Sequence, residues 1–323
     1  MAEANDPYEF YLGQVKLLLE SAWERKVDIK TVEDWLAQFK GDPDPFKDER
    51  LQALFLLSQF MYFGLFEVRA LLKSLYRDHY EYGLIQEIRA ANVNVVDRTV
   101  ILAKLLVERK RTRFVALGNP SESGAYLLYL FRQENSLPKN LFIAPAQVFR
   151  SVATSSGTEH EISDPGIRHY VLIDDLCGSG TQAEQYSVDL CIPLKALALK
   201  AGHDVRISYI ALFGTTDGMS RVRKLGRFDQ VDCVVELDKS FQCFSAESRY
   251  YANEAPPISR TRAEAMARKY GARLCPGHPL GYKDGQLLLG FSHNTPDNSL
   301  PIFSYDGPGG ASWTPIFKRY PKV

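Results

Sequence analysis

The stretch His169 to Gln182, HYVLIDDLCGSGTQ, constrains the fold more than any other part of the chain. An unbroken apolar run from Tyr170 to Ile173 leads directly into Asp174 and Asp175. A short apolar run without polar alternation is typical of a strand that is buried on both faces, as in parallel sheets covered by helices. The stretch therefore predicts an α/β fold with a mostly parallel sheet flanked by helices, and it delivers two carboxylates to the carboxyl edge of that sheet.

Small residues follow the two acids and lead into a predicted helix. Gly178 and Gly180 lack a Cβ, so main-chain amides can close around an anion, and the hydroxyls of Ser179 and Thr181 add further donors. The partial positive charge at the start of a helix also favours a bound anion, and phosphate is an anion that suits such a site. Ordinary turn chemistry remains an alternative. A Walker-type loop is excluded because no Lys follows the turn.

At these residues the sequence resembles the phosphoribosyl pyrophosphate (PRPP) motif of type I phosphoribosyltransferases. The resemblance implies that Asp174 and Asp175 contact the ribose hydroxyls and act with Mg²⁺, directly or through water. It also implies a loop that holds the 5-phosphate, formed by Leu176, Cys177, Gly178, Ser179, Gly180 and Thr181. Cys177 and Ser179 depart from the commonest residues of the motif, but the main-chain donors are unaffected.

A second strand, turn and helix run from Arg113 to Arg132, and their turn spans 118–124. In the phosphoribosyltransferases the corresponding turn binds pyrophosphate, which nominates Ser121, Ser123 and Gly124. This turn contains no Lys or Arg, and Glu122 is unfavourable beside pyrophosphate. A simple helix N-cap is the alternative. Because the turn lacks a basic side chain, two hypotheses stay open: an enzyme that releases pyrophosphate, and an inactive module that senses PRPP or a nucleotide.

Other candidate site residues lie in polar or aromatic segments. The polar segment 150–160 is expected to be a mobile lid, with Arg150, Glu159 and His160 as its candidate catalytic groups. The resemblance places the base against Phe241 and Phe244, although core packing is an alternative for both rings. His293 follows a predicted strand and is a candidate acid, base or donor, or else a turn cap.

Composition narrows the class of protein. Formal net charge is zero over 323 residues, which disfavours direct nucleic-acid binding. Five cysteines without metal-like spacing, together with no export signal in the N-terminal residues, predict a cytoplasmic protein with reduced thiols. The apolar stretch from Leu51 to Phe66 is interrupted by polar residues, so we expect a core helix and no membrane association.

We expect a helical domain over residues 1–110 and an α/β domain with a C-terminal hood over 111–323. The helical first third and the tail, GYKDGQL followed by FSHNTPDNSLP, resemble the phosphoribosyltransferase-like proteins of bacterial conflict systems. Those proteins are encoded beside antiviral modules, including some retron systems. The resemblance implies an antiphage effector or accessory protein with a protein partner in a defence complex. An interaction subunit of a retron-type complex is a further alternative, and homodimers are frequent among the relatives.

Overall fold

A computed structural model describes residues 6–41, 48–118, 123–155, 157–307 and 313–320. Nine strands and twelve α-helices lie within these ranges. The strands are β1 Met61–Phe63, β2 Thr112–Ala116, β3 Phe142–Ile143, β4 Phe149–Thr154, β5 Gly157–Ile162, β6 His169–Cys177, β7 Arg206–Thr215, β8 Gln230–Leu237 and β9 Leu289–Phe291. The helices are α1 Pro7–Ser21, α2 Ile29–Leu36, α3 Glu49–Ser58, α4 Leu65–Ser74, α5 Tyr82–Ala90, α6 Arg98–Lys110, α7 Ser123–Glu134, α8 Thr181–Tyr186, α9 Ile192–Lys200, α10 Thr216–Lys224, α11 Arg260–Leu274 and α12 Pro301–Ser304.

The chain divides into two compact units. Unit 1 comprises Met1–Val68 and Asp238–Val323, and unit 2 comprises Arg69–Leu237. The predicted boundary at residue 110 falls within unit 2, because the C-terminal segment returns to pack with the N-terminal helices. For example, the buried Trp35 indole Nε1 donates a hydrogen bond to the Ile302 carbonyl oxygen at 2.9 Å.

Unit 2 is built on a parallel sheet of five strands in the order β3-β2-β6-β7-β8. Strand β6 lies in the middle, and its residues Tyr170 to Ile173 are buried, as the apolar run predicts. One face of the sheet packs Leu172, Tyr209 and Ala211 against helix residues such as Leu194. The predicted α/β class with a mostly parallel sheet flanked by helices is confirmed.

Unit 1 is mainly helical and contains a two-stranded parallel pair, β1 with β9. The sequence pattern predicts one long helix from Asp48 to about Tyr80, but that prediction is wrong. The helix ends at Ser58, and Met61 to Phe63 are extended because they pair with Leu289 to Phe291. A distant strand thus overrides local helical periodicity. The residues from Thr31 to Asp34 also predict a helix that begins with Thr31 as its N-cap, and that prediction is wrong. The helix begins at Ile29, and the Asp28 carboxylate accepts the Thr31 amide at 2.8 Å.

In the described part of the chain, each helix is too short or too polar to cross a membrane.

Candidate functional site

Strand β6 carries both predicted acids and continues beyond them. Leu176 pairs with Phe213 and Cys177 with Gly214 of β7, so both residues lie in the strand. The prediction that the turn begins at Leu176 is therefore corrected, because hydrogen bonding to β7 extends the strand to Cys177. The turn itself consists of Gly178, Ser179 and Gly180, and α8 begins at Thr181.

Asp174 is a buried acid held by neutral groups. Its side chain is 6% exposed. The Tyr209 hydroxyl donates to Oδ2 at 2.8 Å, and the Asp175 amide donates to Oδ1 at 3.0 Å. Burial, and then the neighbouring Asp175 carboxylate, raise the pKa of Asp174 to about 7. Burial and the Asp174 charge likewise raise the pKa of Tyr209, so the tyrosine stays protonated and remains a donor.

The other two polar residues at the end of β6 differ in accessibility. Asp175 is partly exposed, and its Oδ1 accepts the Leu176 amide at 2.8 Å. Cys177 is 2% exposed, and burial raises the pKa of its thiol to about 12. A protonated, buried thiol is a poor nucleophile, and Cys177 packs in the core of unit 2. Asp175 is the acid that a ligand can reach.

The turn is clamped by the segment after β7. The Thr215 hydroxyl donates to the Gly178 carbonyl oxygen at 2.5 Å and accepts the Gly218 amide at 3.0 Å. A Cβ at Gly218 would overlap the Gly178 carbonyl oxygen, so α10 can approach the turn only because residue 218 is glycine. The left-handed φ of 72° at Gly180 completes the bend.

The turn contains several hydrogen-bond donors within three consecutive residues. The hydroxyls of Ser179 and Thr181 are 3.0 Å apart, and the Ser179 oxygen also accepts the Thr181 amide at 3.4 Å. Among the described residues, the amides of Ser179 and Gly180 have no acceptor. Free amides at the start of a helical segment suit an anion. The arrangement can therefore hold a phosphate beside the Asp175 carboxylate.

The turn after β2 leaves the same edge of the sheet, since Ala116 pairs with Ile173 of β6. Ser121 lies outside the described residues. Ser123 is the first residue of α7. A Cβ at Gly124 would overlap the Leu117 carbonyl oxygen, so this glycine allows α7 to approach the end of β2. Gly124 thus has a packing role, and its predicted role in pyrophosphate binding stays a prediction.

The segment expected to be a mobile lid contains a hairpin, β4 with β5, that lies near the amino edge of the sheet. It is not an irregular loop, because Phe149 to Thr154 pair in register with Gly157 to Ile162. Its mobility stays a prediction. Arg150 forms an ion pair with Glu161 at 3.0 Å, and Glu159 with Lys200 at 2.8 Å.

Lys200 ends α9, and β7 begins shortly afterwards at Arg206, which places this contact at the amino edge. Arg150, Glu159 and His160 line a cavity of about 350 Å³ between the hairpin and α9. Strand β6 separates the amino edge from the Gly178 turn by roughly 25–30 Å. The structure therefore places Arg150 by the amino edge and not beside the Gly178 turn.

The remaining predicted site residues belong to unit 1. Phe244 is a buried core residue, and its amide donates to Gln286 Oε1 at 2.9 Å. The ring of Phe241 is covered on one face by the Arg249 guanidinium at 3.4 Å from its centroid. The His293 ring is stacked on Phe291, with centroids 5.3 Å apart. Base stacking on the phenylalanines and acid–base chemistry at His293 stay predictions.

The described residues contain no group of three or more His, Cys, Asp or Glu that could hold a metal ion by itself. A magnesium ion therefore fits only if a ligand supplies most of its oxygens, which is the usual mode of Mg²⁺ binding with nucleotides. Asp175 is the accessible carboxylate for that purpose, because both oxygens of Asp174 already accept hydrogen bonds.

Two of the groups that support the site, Thr215 and Gly218, belong to the polar turn 214–218. This turn follows a strand at the carboxyl edge, so the sequence allows it to line the pocket, although turn chemistry alone also explains it. Sequence reasoning missed Tyr209. The hydroxyl of Tyr209 left no signal, since a tyrosine within an apolar strand normally indicates core packing.

Comparison with known proteins gives a family and a distant solved structure. An adenine phosphoribosyltransferase from Thermoanaerobacter pseudethanolicus is 18% identical over 44% of this chain and 82% of its own, with a TM-score of 0.23. No curated protein matches the sequence. The match to the PRTase-CE family extends over residues 32–319, most of the chain. The chain belongs to the PRTase-CE family.

Proposed function

We propose that this protein is phosphoribosyltransferase-like and binds PRPP or a nucleotide at the carboxyl edge of the sheet in unit 2. One observation carries the proposal: two acids at the end of a buried strand run into a glycine turn with two amides that lack acceptors among the described residues. Membership of the PRTase-CE family supports it. The turn Gly178 to Thr181 holds the phosphate, and Asp175 accepts the ribose hydroxyls.

Asp174 and Asp175 have different roles in this proposal. Asp175 is accessible and contacts the ligand, whereas Asp174 positions it through the hydrogen bond from the Asp175 amide. Tyr209 holds Asp174 in place from β7. Asp175 together with ligand phosphate oxygens would hold Mg²⁺, and the bound ion would supply positive charge to neutralise the phosphates. As an enzyme, the protein would stabilise positive charge at ribose C1 with the Asp175 carboxylate.

A sensor without turnover is the second candidate, and the turn after β2 favours it. Residues 118–124 contain no Lys or Arg to balance pyrophosphate charge. Release of pyrophosphate from PRPP with a mixture of nucleobases and metabolites distinguishes the two candidates. An enzyme releases it and loses this activity in Asp175→Asn, whereas a sensor binds PRPP without release.

The biological setting belongs to the same proposal: a cytoplasmic antiphage effector or accessory protein. The sequence resemblance to conflict-system proteins supports it. Expression of the gene with its genomic neighbours in a phage-sensitive host, followed by plaque counting, tests it. Protection that disappears with Asp175→Asn supports the proposal, and unchanged plaque numbers with the intact locus across a broad phage panel contradict it.

Isothermal titration calorimetry with PRPP, with and without Mg²⁺, tests the site itself. We expect saturable binding that strengthens with Mg²⁺. Asp175→Asn should weaken it by about 30- to 100-fold, because one charged acceptor is lost. Asp204→Asn, an exposed acid just before β7, is the matched control and should bind as the native protein does. Absence of heat with PRPP and with nucleoside phosphates would refute the proposed ligand class.

A further inference from the structure

Helix α6 presents a wide apolar face to solvent. Val100, Leu102, Leu106 and Val107 are 37 to 48% exposed, which is unusual for four apolar residues on one helix. At 100° per residue they span, with Thr99 and Ala103, an arc of roughly 160°. The opposite side packs on α5 and buries Leu105. An arc of this width normally faces a core, yet this one faces outward.

The loop before α6 contains two further exposed apolar residues. Val93 is 96% exposed and Val96 is 80% exposed. Val93 and Asn94 both adopt left-handed backbone angles, with φ of 56° and 55°. This conformation disfavours a β-branched residue by on the order of 1–3 kcal/mol, and such strain tends to persist at functional sites. We call these six residues the α6 surface: Val93, Val96, Val100, Leu102, Leu106 and Val107.

Basic residues border the α6 surface. Arg98 lies on one flank of the helix, Lys104 and Arg111 on the other, and Lys110 at its end, and all four are exposed. The local acids are already engaged: Asp97 caps the helix by accepting the Thr99 amide at 2.8 Å, and Glu108 pairs with Arg111 at 3.5 Å. Four cations and two acids leave the border with a net positive charge, and a partner that complements it carries acids around an apolar strip.

We propose that the α6 surface is the docking site for an acidic amphipathic helix of another protein. Leu102 and Leu106 are four residues apart and Val100 and Val107 are seven apart, which matches the way helices pack against one another. A second copy of the chain would bring the basic flanks together across a two-fold axis, which is unfavourable. A membrane surface fits less well, because the face contains none of the aromatic side chains that anchor interfacial helices.

A designed peptide provides the probe. It is a fluorescein-labelled helix of about three heptads with Leu at a and d and Glu at e and g, and its control has Lys in place of Glu. Fluorescence anisotropy with the full chain should show saturable binding of the Glu peptide and at least about tenfold weaker binding of the Lys peptide. The variant Leu102→Gln/Leu106→Gln/Val107→Gln should bind the Glu peptide at least about tenfold more weakly.

The matched control is Val188→Gln/Ile192→Gln/Leu199→Gln, which alters three apolar residues that are 44 to 80% exposed elsewhere in unit 2. It should bind as the native chain does, and thermal unfolding should show that both triple variants are folded. The variant Lys104→Glu/Lys110→Glu should bind the Glu peptide more weakly and the Lys peptide more tightly than the native chain does.

Three results would overturn the proposal. The first is no saturable binding of the Glu peptide, or an equal loss in both triple variants. The second is binding to vesicles of anionic phospholipid that requires the α6 surface and is not displaced by the peptide, which would assign a membrane role. The third is a concentration-dependent dimer in sedimentation equilibrium that the α6 triple variant abolishes.

Discussion

At the carboxyl edge of the sheet in unit 2, the Asp174 carboxylate is held by a tyrosine hydroxyl and a main-chain amide, whereas acids near the amino edge are held by cations. Near the amino edge, Asp164 pairs with Arg113 at 3.2 Å and Asp229 with Lys195 at 2.8 Å. Glu87 pairs with Arg206 in the same region.

This contrast distinguishes acids that stabilise the fold from acids that serve a binding site. In the ion pairs at the amino edge, each charge is neutralised by its partner. A charged ligand would therefore gain little binding energy there. A buried carboxylate without a cation opposes folding at neutral pH, and such groups persist where a site requires them. Chemistry is therefore expected at the carboxyl edge, and the predictions below test this contrast from the largest expected effect to the smallest.

Gly218→Ala tests whether the close approach of α10 shapes the turn from Gly178 to Thr181. The new Cβ would overlap the Gly178 carbonyl oxygen, so the turn must move. We expect a loss of about 3 kcal/mol in the free energy of unfolding and loss of PRPP binding. Gly83→Ala is the control, because a Cβ there meets nothing within 4 Å, and it should be neutral or stabilising. Native stability and affinity in Gly218→Ala would contradict the geometry.

Asp174→Asn tests whether the buried Asp174 charge destabilises the folded protein. Because burial raises its pKa to about 7, native Asp174 binds a proton in the folded state more tightly than in the unfolded state. The free energy of unfolding therefore falls as pH rises from the ordinary value near 4 to about 7. In magnesium-free buffer, Asp174→Asn should gain on the order of 2–3 kcal/mol relative to the native protein across this range. A pH-independent difference in urea unfolding would argue against a buried, strained acid.

His169→Gln tests the amino edge and has the opposite pH dependence. His169 is buried, its Nε2 lies 2.8 Å from the Ser208 hydroxyl, and burial lowers its pKa to about 3. The unfolded state takes up a proton first as pH falls below the ordinary value, so the native protein loses stability in acid. Between about pH 6.5 and 5 the native protein should lose about 2 kcal/mol that the variant retains. Parallel stability profiles for the two proteins would contradict this assignment.

The smallest effect is expected at the hairpin. Arg150→Gln and Glu159→Gln remove exposed ion pairs, so each should change the free energy of unfolding by less than about 0.5–1 kcal/mol. PRPP affinity and any pyrophosphate release should stay at the native level, because the hairpin lies at the opposite edge of the sheet. A large loss of activity in Arg150→Gln alone would restore the catalytic role predicted for this residue and break the contrast between the edges.

Part of the candidate site was predictable because it is local. The strand, the two acids and the Gly178 to Thr181 turn are consecutive in sequence, and turn chemistry depends on neighbouring residues. The difference between Asp174 and Asp175 was not predictable. It arises from Tyr209, which lies 35 residues away along the chain and meets Asp174 only because β6 and β7 are neighbours.

By itself, the sequence determined the α/β class, the positions of the main strands along the chain and the glycine turn after β6, because apolar runs and glycine turns act over a few residues. Only the tertiary structure decided that Met61 to Phe63 form a strand, that the predicted lid is a hairpin at the amino edge, and that Gly218 admits α10 to the turn. The physical reason is common to all three. Each depends on a partner that is distant in sequence, and the free energy of that contact overrides the local preference of the residues involved.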